Sequence, residues 1–187
     1  MNWKDEFSAP TGFWFTDSGK TRARDRDWGG VYYAQPDGSS ITEAIHPLDS
    51  PNGIGLSRAG NRLYVADTST GRVRWWEVRE PGIIDHIGVT GRGRHLLAAP
   101  AGSPFFDSLA VEANGNLCVG TLFNGRITVI RPNRTTEFIS FPDRLVTNIC
   151  FGGADLTTAY VTFSSRGQLA RVKWPRPGLG LAWNSAC

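Results

Sequence analysis

An internal repeat constrains this chain more than any other feature. Residues 50–71 read SPNGIGLSRAGNRLYVADTSTG. A Pro-Asn-Gly corner opens onto a short apolar run, a turn follows at 58–61, and a second apolar run, 63–66, stops at Asp67. The unit recurs at 104–125 (PFFDSLAVEANGNLCVGTLFNG) and at 145–167 (LVTNICFGGADLTTAYVTFSSRG), and a partial copy stands at 12–30. The glycine that opens the next strand is Gly30, Gly71, Gly125 and Gly167, at spacings of 41, 54 and 42 residues. Periods of about 40–50 residues made of short strands specify propeller blades. Each blade is a four-stranded antiparallel sheet set radially about a channel.

The strands can be placed within the unit. Innermost strands are predicted at 54–57, 109–112 and 148–151, second strands at 62–67, 116–122 and 158–163, and third strands at 72–78, 126–131 and 168–174. Outer strands are predicted at 41–46, 95–98 and 136–141. Asp37-Gly38, Asn114-Gly115 and Asn124-Gly125 supply the turns, because these residues tolerate positive φ. No long window carries a 3.6-residue period. The fold class is therefore all-β.

Composition narrows the function classes. The 22 Gly and 11 Pro suit tight turns, and the 7 Trp and 10 Phe suit packing between sheets. A net charge of +3 with scattered basic residues lacks the one-sided basic patch of a nucleic-acid binder. No apolar run approaches the roughly 20 residues of a membrane span, and no leader is visible, so the default expectation is a cytoplasmic protein. The three cysteines have no disulfide or zinc spacing. Cys118 and Cys150 lie in apolar runs and are expected to be buried thiols. His46, His86 and His95 occupy dissimilar points of the unit, so a zinc-type cluster is unsupported.

The innermost strands of a propeller start at the mouth of the channel, and the repeat aligns Asn52, Asp107 and Thr147 there without gaps. An amide oxygen, a carboxylate and a hydroxyl are hard donors, suited to Ca²⁺ or Mg²⁺. The same residues also serve as ordinary turn residues that bond nearby backbone, and the residues alone leave both readings open. Asp17 and Asp67, at the ends of second strands, read as structural caps of the following turn. Trp14, Trp75 and Trp76 read as blade packing.

The segments GFWFTDSGK (12–20), WGGVYYAQPDG (28–38), SPNGIGLSRAGNRLYVADT (50–68), FDSLAVEANGNLCVGT (106–121) and VTNICFGGADLTTAYVT (146–162) together resemble the SMP-30/gluconolactonase/LRE-like, or regucalcin-like, family. The resemblance implies a six-bladed propeller holding one divalent cation at the channel mouth. Ca²⁺ is the first expectation, with Mg²⁺, Mn²⁺ or Zn²⁺ as the others. It also implies hydrolysis of a sugar-acid lactone or a related lactone or ester. Asn52 and Asp107 match the family's cation ligands, and Asp107 also matches its general base. The cation would polarise the lactone carbonyl, and Asp107 would take a proton from water. Thr147 and Asn148 are placed to bond the substrate.

The family's first-blade Glu ligand has no counterpart here, and Asn2 stands one residue out of register with an expected Asn. The chain thus reads as one partial propeller domain over 1–187, about three to four blades from the C-terminal part of a six-bladed ring. Residues 1–11 are a degraded or non-native start and 175–187 a tail across the last blade. The small-molecule lactone is the expected partner, with no nucleic acid and no membrane. The alternative is a non-catalytic ligand-binding or scaffold propeller fragment that self-associates through its open blade faces.

Overall fold

The computed structural model describes residues 12–85, 95–102 and 104–181. The expected strand upstream of Phe13, Asn2, His86 and Cys187 lie outside these residues. Among the described residues there are strands and turns and no helix. The first sheet comprises β1 (Phe13–Asp17), β2 (Gly29–Ala34) and β3 (Ile41–Leu48). The second comprises β4 (Pro51–Leu56), β5 (Arg62–Asp67) and β6 (Arg72–Glu80), with β7 (Ile83–Ile84) and β8 (His95–Ala98) sharing the outer edge of β6. The third is β9 (Phe105–Val111), β10 (Leu117–Leu122), β11 (Arg126–Ile130) and β12 (Thr136–Ser140). The fourth is β13 (Val146–Gly152), β14 (Thr158–Phe163) and β15 (Gln168–Lys173). Every pairing among these strands is antiparallel between neighbours in the chain, apart from β6 with β8.

Alternation along the strands builds three separate cores, one between each pair of successive sheets. Val31, Ile45, Leu63, Val65 and Trp76 join the first two. Ala66, Val73, Phe106, Leu109 and Val119 join the second and third. Cys118, Ile127, Val129, Ile149 and Val161 join the third and fourth. The repeat glycine has a conformational reason. Gly71, Gly125 and Gly167 adopt φ of 60°, 61° and 60°, a left-handed turn that costs glycine no steric clash. Gly30, in the partial first copy, does not adopt positive φ.

The inner strands start earlier than the sequence suggests, at Pro51, Phe105 and Val146 rather than 54, 109 and 148. Pro51 sits where proline is tolerated, at the first residue of a strand. The Pro-Asn-Gly corner is thus part of a strand. Cys118 is buried, as expected, but Cys150 is exposed. Cys150 opposes Tyr160 on the face of β13 that looks away from the core, and that face of the last sheet has no fifth sheet against it among the described residues.

A strap after β15 ties the last two sheets together. Ala113 N–H donates to Pro177 O at 3.0 Å, Gly178 N–H to Leu156 O at 2.9 Å, and Leu179 N–H to Val111 O at 2.8 Å. Glu112, 0% exposed, anchors it. Its carboxylate accepts from Trp174 Nε1 (2.8 Å), Arg176 Nε (2.6 Å), Asn116 Nδ2 (2.7 Å) and Cys118 Sγ (3.3 Å). Burial pushes the Glu112 carboxyl up, and these four donors, led by Arg176, outweigh it and hold it below the ordinary range.

Candidate active site

The opening turns of β4, β9 and β13 share one irregularity. Between Pro51 and Ile54, Phe106 and Leu109, and Val146 and Asn148, the inner strand carries one more residue than its partner. A bulge bends its strand and re-aims the side chains in it. The bulged residues include Asn52, Asp107 and Thr147, the positions aligned by the repeat. Close approach of the inner strands accompanies the bulges. A Cβ on Gly53 would lie 2.5 Å from Leu109 N and 2.6 Å from Asp107 O. Only glycine lets β4 lie this close against β9.

This approach brings Asn52 and Asp107 together from different sheets. The Asn52 carboxamide lies beside the Asp107 carboxylate, close enough to lower its pKa. Burial raises the Asp107 carboxyl above the ordinary aspartate range, and the bonds from the Asn52 amide and the Ser108 N–H offset only part of that rise. No Lys or Arg among the described residues pairs with Asp107.

Asn52 is itself held from two sides. Thr16 Oγ1 donates to Asn52 O at 2.6 Å, and Asn52 Nδ2 donates to Thr68 Oγ1 at 3.3 Å. Thr68 Oγ1 in turn donates to Phe106 O at 2.6 Å. Ser18 Oγ makes the equivalent bond one sheet earlier, to Pro51 O at 2.7 Å. These hydroxyls escaped the sequence analysis. Their signal was present: Ser18, Thr68 and Ser164 stand at one repeat position, directly after the end of the second strand.

The other two candidates bond within their own sheet. Thr147 Oγ1 lies 2.7 Å from Thr162 Oγ1 and accepts from Ser164 Oγ at 3.3 Å. Asn148 is exposed, and its Oδ1 accepts from Ile149 N–H at 2.7 Å. Asp67 accepts from Thr70 N–H (3.0 Å) and Ser50 N–H (3.3 Å) and pairs with Arg74 at 3.4 Å. Asp17 accepts from Gly19 N–H at 2.9 Å. Trp14 meets Tyr33 edge-on with centroids 5.0 Å apart, and Trp76 is buried in the core. Trp75 is sandwiched between the His95 ring at 4.1 Å and the Arg62 guanidinium at 4.4 Å.

A hard divalent cation fits the chemistry of the Asn52–Asp107 pair. The donors are an amide and a carboxylate, and the carboxylate is desolvated without a basic partner among the described residues. Two side chains fall short of the six to eight oxygens that Ca²⁺ takes, so water, substrate or groups outside the described residues would complete its shell. Among the described residues, no three His, Cys, Asp or Glu side chains gather into a cluster, and no helix is long and apolar enough to cross a membrane.

Stacked antiparallel sheets with a polar pair at their inner edges define the class, an open array of propeller blades. The family model described as SMP-30/Gluconolactonase/LRE-like region matches residues 4–165, and the chain belongs to that family. Lactonase drp35 of Staphylococcus haemolyticus is 28% identical over 123 residues, covering 66% of this chain and 36% of that protein. Lactonase drp35 of Staphylococcus aureus (strain MW2) is 30% identical over 124 residues, with 66% and 36% coverage. The chain therefore spans about a third of the length of these relatives. Among solved structures, a luciferin-regenerating enzyme aligns with a TM-score of 0.72 at 19% identity, covering 91% of this chain and 62% of that one. A calcium-binding protein, regucalcin, from Agrobacterium tumefaciens aligns at 0.65 and 16% identity, with 91% and 62% coverage. A gluconolactonase from Xanthomonas campestris aligns at 0.67 and 23% identity, with 89% and 55% coverage. These likenesses establish the shared fold.

Proposed function

We propose that this chain carries part of the active site of a divalent-cation-dependent lactonase. The carrying observation is the close approach of the bulged corners of β4 and β9, which sets Asn52 beside Asp107 with no basic partner among the described residues. Membership of a family whose named relatives are lactonases supports the choice of reaction. The substrate class is a sugar-acid lactone or a related cyclic ester. The array reads as a portion of a six-bladed ring.

Asn52 and Asp107 would hold the cation, Ca²⁺ by the donor set, and the chemistry it would supply is Lewis-acid stabilisation of the negative charge that develops on the ester carbonyl. Asn52 takes no part in proton transfer and holds its amide toward the site. Asp107 accepts a proton from the attacking water as the water oxygen bonds to the carbonyl carbon. When the ring C–O bond breaks, the same carboxyl returns that proton to the departing oxygen. Thr147 and Asn148, on the inner strand of the fourth sheet, would contact substrate, Asn148 through its amide nitrogen because its oxygen accepts from Ile149 N–H.

The test is hydrolysis of gluconolactone and of simple γ- and δ-lactones with saturating Ca²⁺. Asp107→Asn is expected to lower kcat by about 10²–10⁴-fold, the usual contribution of a general base. A rate near that of the parent protein removes Asp107 from the base role.

A further inference from the structure

We propose that Thr68 is a positioning residue that sets which end of the Asn52 carboxamide faces the site; its functional meaning rests on the lactonase reading, its geometry does not. A hydroxyl has one proton and two lone pairs. Thr68 Oγ1 commits its proton to Phe106 O at 2.6 Å. It therefore offers Asn52 only lone pairs, and the amide end 3.3 Å away has to be the NH₂. Turning the carboxamide round would set oxygen against oxygen.

With the nitrogen fixed, the rest of the pair follows. The amide nitrogen donates to Thr68, and the same carboxamide lies beside the Asp107 carboxylate. Asn52 Oδ1 accepts no hydrogen bond among the described residues, which leaves the hard donor atom available to a ligand. Phe106 is the residue before Asp107, so the same hydroxyl also pins the peptide that carries the carboxylate.

The repeat isolates this role. Ser18 makes the backbone half of the clasp, to Pro51 O at 2.7 Å. The next copy has Leu122 at this position, which cannot make it and instead forms a backbone bridge to Leu145. At Thr68 the hydroxyl both donates to backbone and accepts from a side chain, Asn52, whereas at Ser164 it donates to the Thr147 hydroxyl.

The experiment compares Thr68→Val with Thr68→Ser in the full chain, by ¹⁵N relaxation of the Asn52 side-chain amide and by calorimetric titration with Ca²⁺. Thr68→Val should lower the heteronuclear NOE of the Asn52 amide to that of a free side chain while the backbone spectrum keeps its dispersion. Thr68→Ser should restore it. Ca²⁺ affinity should fall about 10–100-fold in Thr68→Val, the usual cost of losing a group that orients a ligand, and recover in Thr68→Ser. Should the valine variant not fold, Thr68→Ala removes the same hydroxyl. An Asn52 amide as ordered without the hydroxyl as with it overturns the proposal. Failure of the cation reading looks different: Ca²⁺ then binds Asp107→Asn as well as the parent, or binds neither, while the Asn52 amide still loosens in Thr68→Val.

Discussion

Glu112 is buried and Asp107 half-buried, their surroundings are opposite, and their carboxyls shift in opposite directions. Four donors depress Glu112. A depressed carboxyl contributes stability that is fully present above its unfolded value, about pH 4.3, and is lost as pH falls through the lower folded value. Asp107 is raised, so its contribution runs the other way, and stability declines as pH rises from its unfolded value through the folded one. Glu112→Gln should therefore flatten the acid limb of the stability curve and weaken the bond to Arg176. Urea titrations at pH 3 and pH 7 check this: the variant should lose roughly 3 kcal/mol at pH 7 and noticeably less at pH 3. Glu112 was not legible as a hub in the sequence, because its partners Trp174 and Arg176 lie more than sixty residues away. The nearness of Asn52 to Asp107 was legible, because a repeat that aligns two residues also aligns their places in the sheets.

The inner strand with its bulge is the element that aims the site. The sequence marked the corner at Asn52-Gly53, but Asn-Gly reads as a turn, and nothing local distinguishes a turn before a strand from a bulge within one. Only the pairing of Pro51 with Asp67 decides it. Second and third strands were legible almost to the residue, since their alternation reflects burial in the cores. The burial of Cys150 was misjudged because an apolar run looks the same on a packed face and an open one. Gly53→Ala tests the element directly. Its new Cβ would strike backbone atoms of β9 at 2.5–2.6 Å, and backbone cannot swing aside. Overpacking of this kind costs about 1–3 kcal/mol. Chemical denaturation should show that loss, and Ca²⁺ affinity should fall with it because Asn52 and Asp107 are pushed apart.

At the scale of the whole molecule, four sheets stack through three cores, and the outer faces of the first and last sheets are uncovered among the described residues. Phe13 and Ile41 are 51% and 67% exposed on the first, and Leu169 is 67% exposed on the last beside Arg171 and Lys173. Burying an exposed Leu or Phe is worth about 1.5–3 kcal/mol, so the chain is expected to associate with itself. Light scattering should give a mass above the monomer's 20.5 kDa that rises with concentration, and a constant monomer mass contradicts this. Stacking also brings residues 55 positions apart in sequence together, because successive inner strands lie side by side, and the proposed site depends on that juxtaposition. Calorimetric titration of Ca²⁺ into the parent chain, Asn52→Ala, Asp107→Asn and the double variant tests that claim most directly. The account predicts micromolar binding to the parent, a loss of at least tenfold in each single variant, and a double variant little worse than the weaker single one. Undiminished binding in either single variant, or none in the parent, would contradict it.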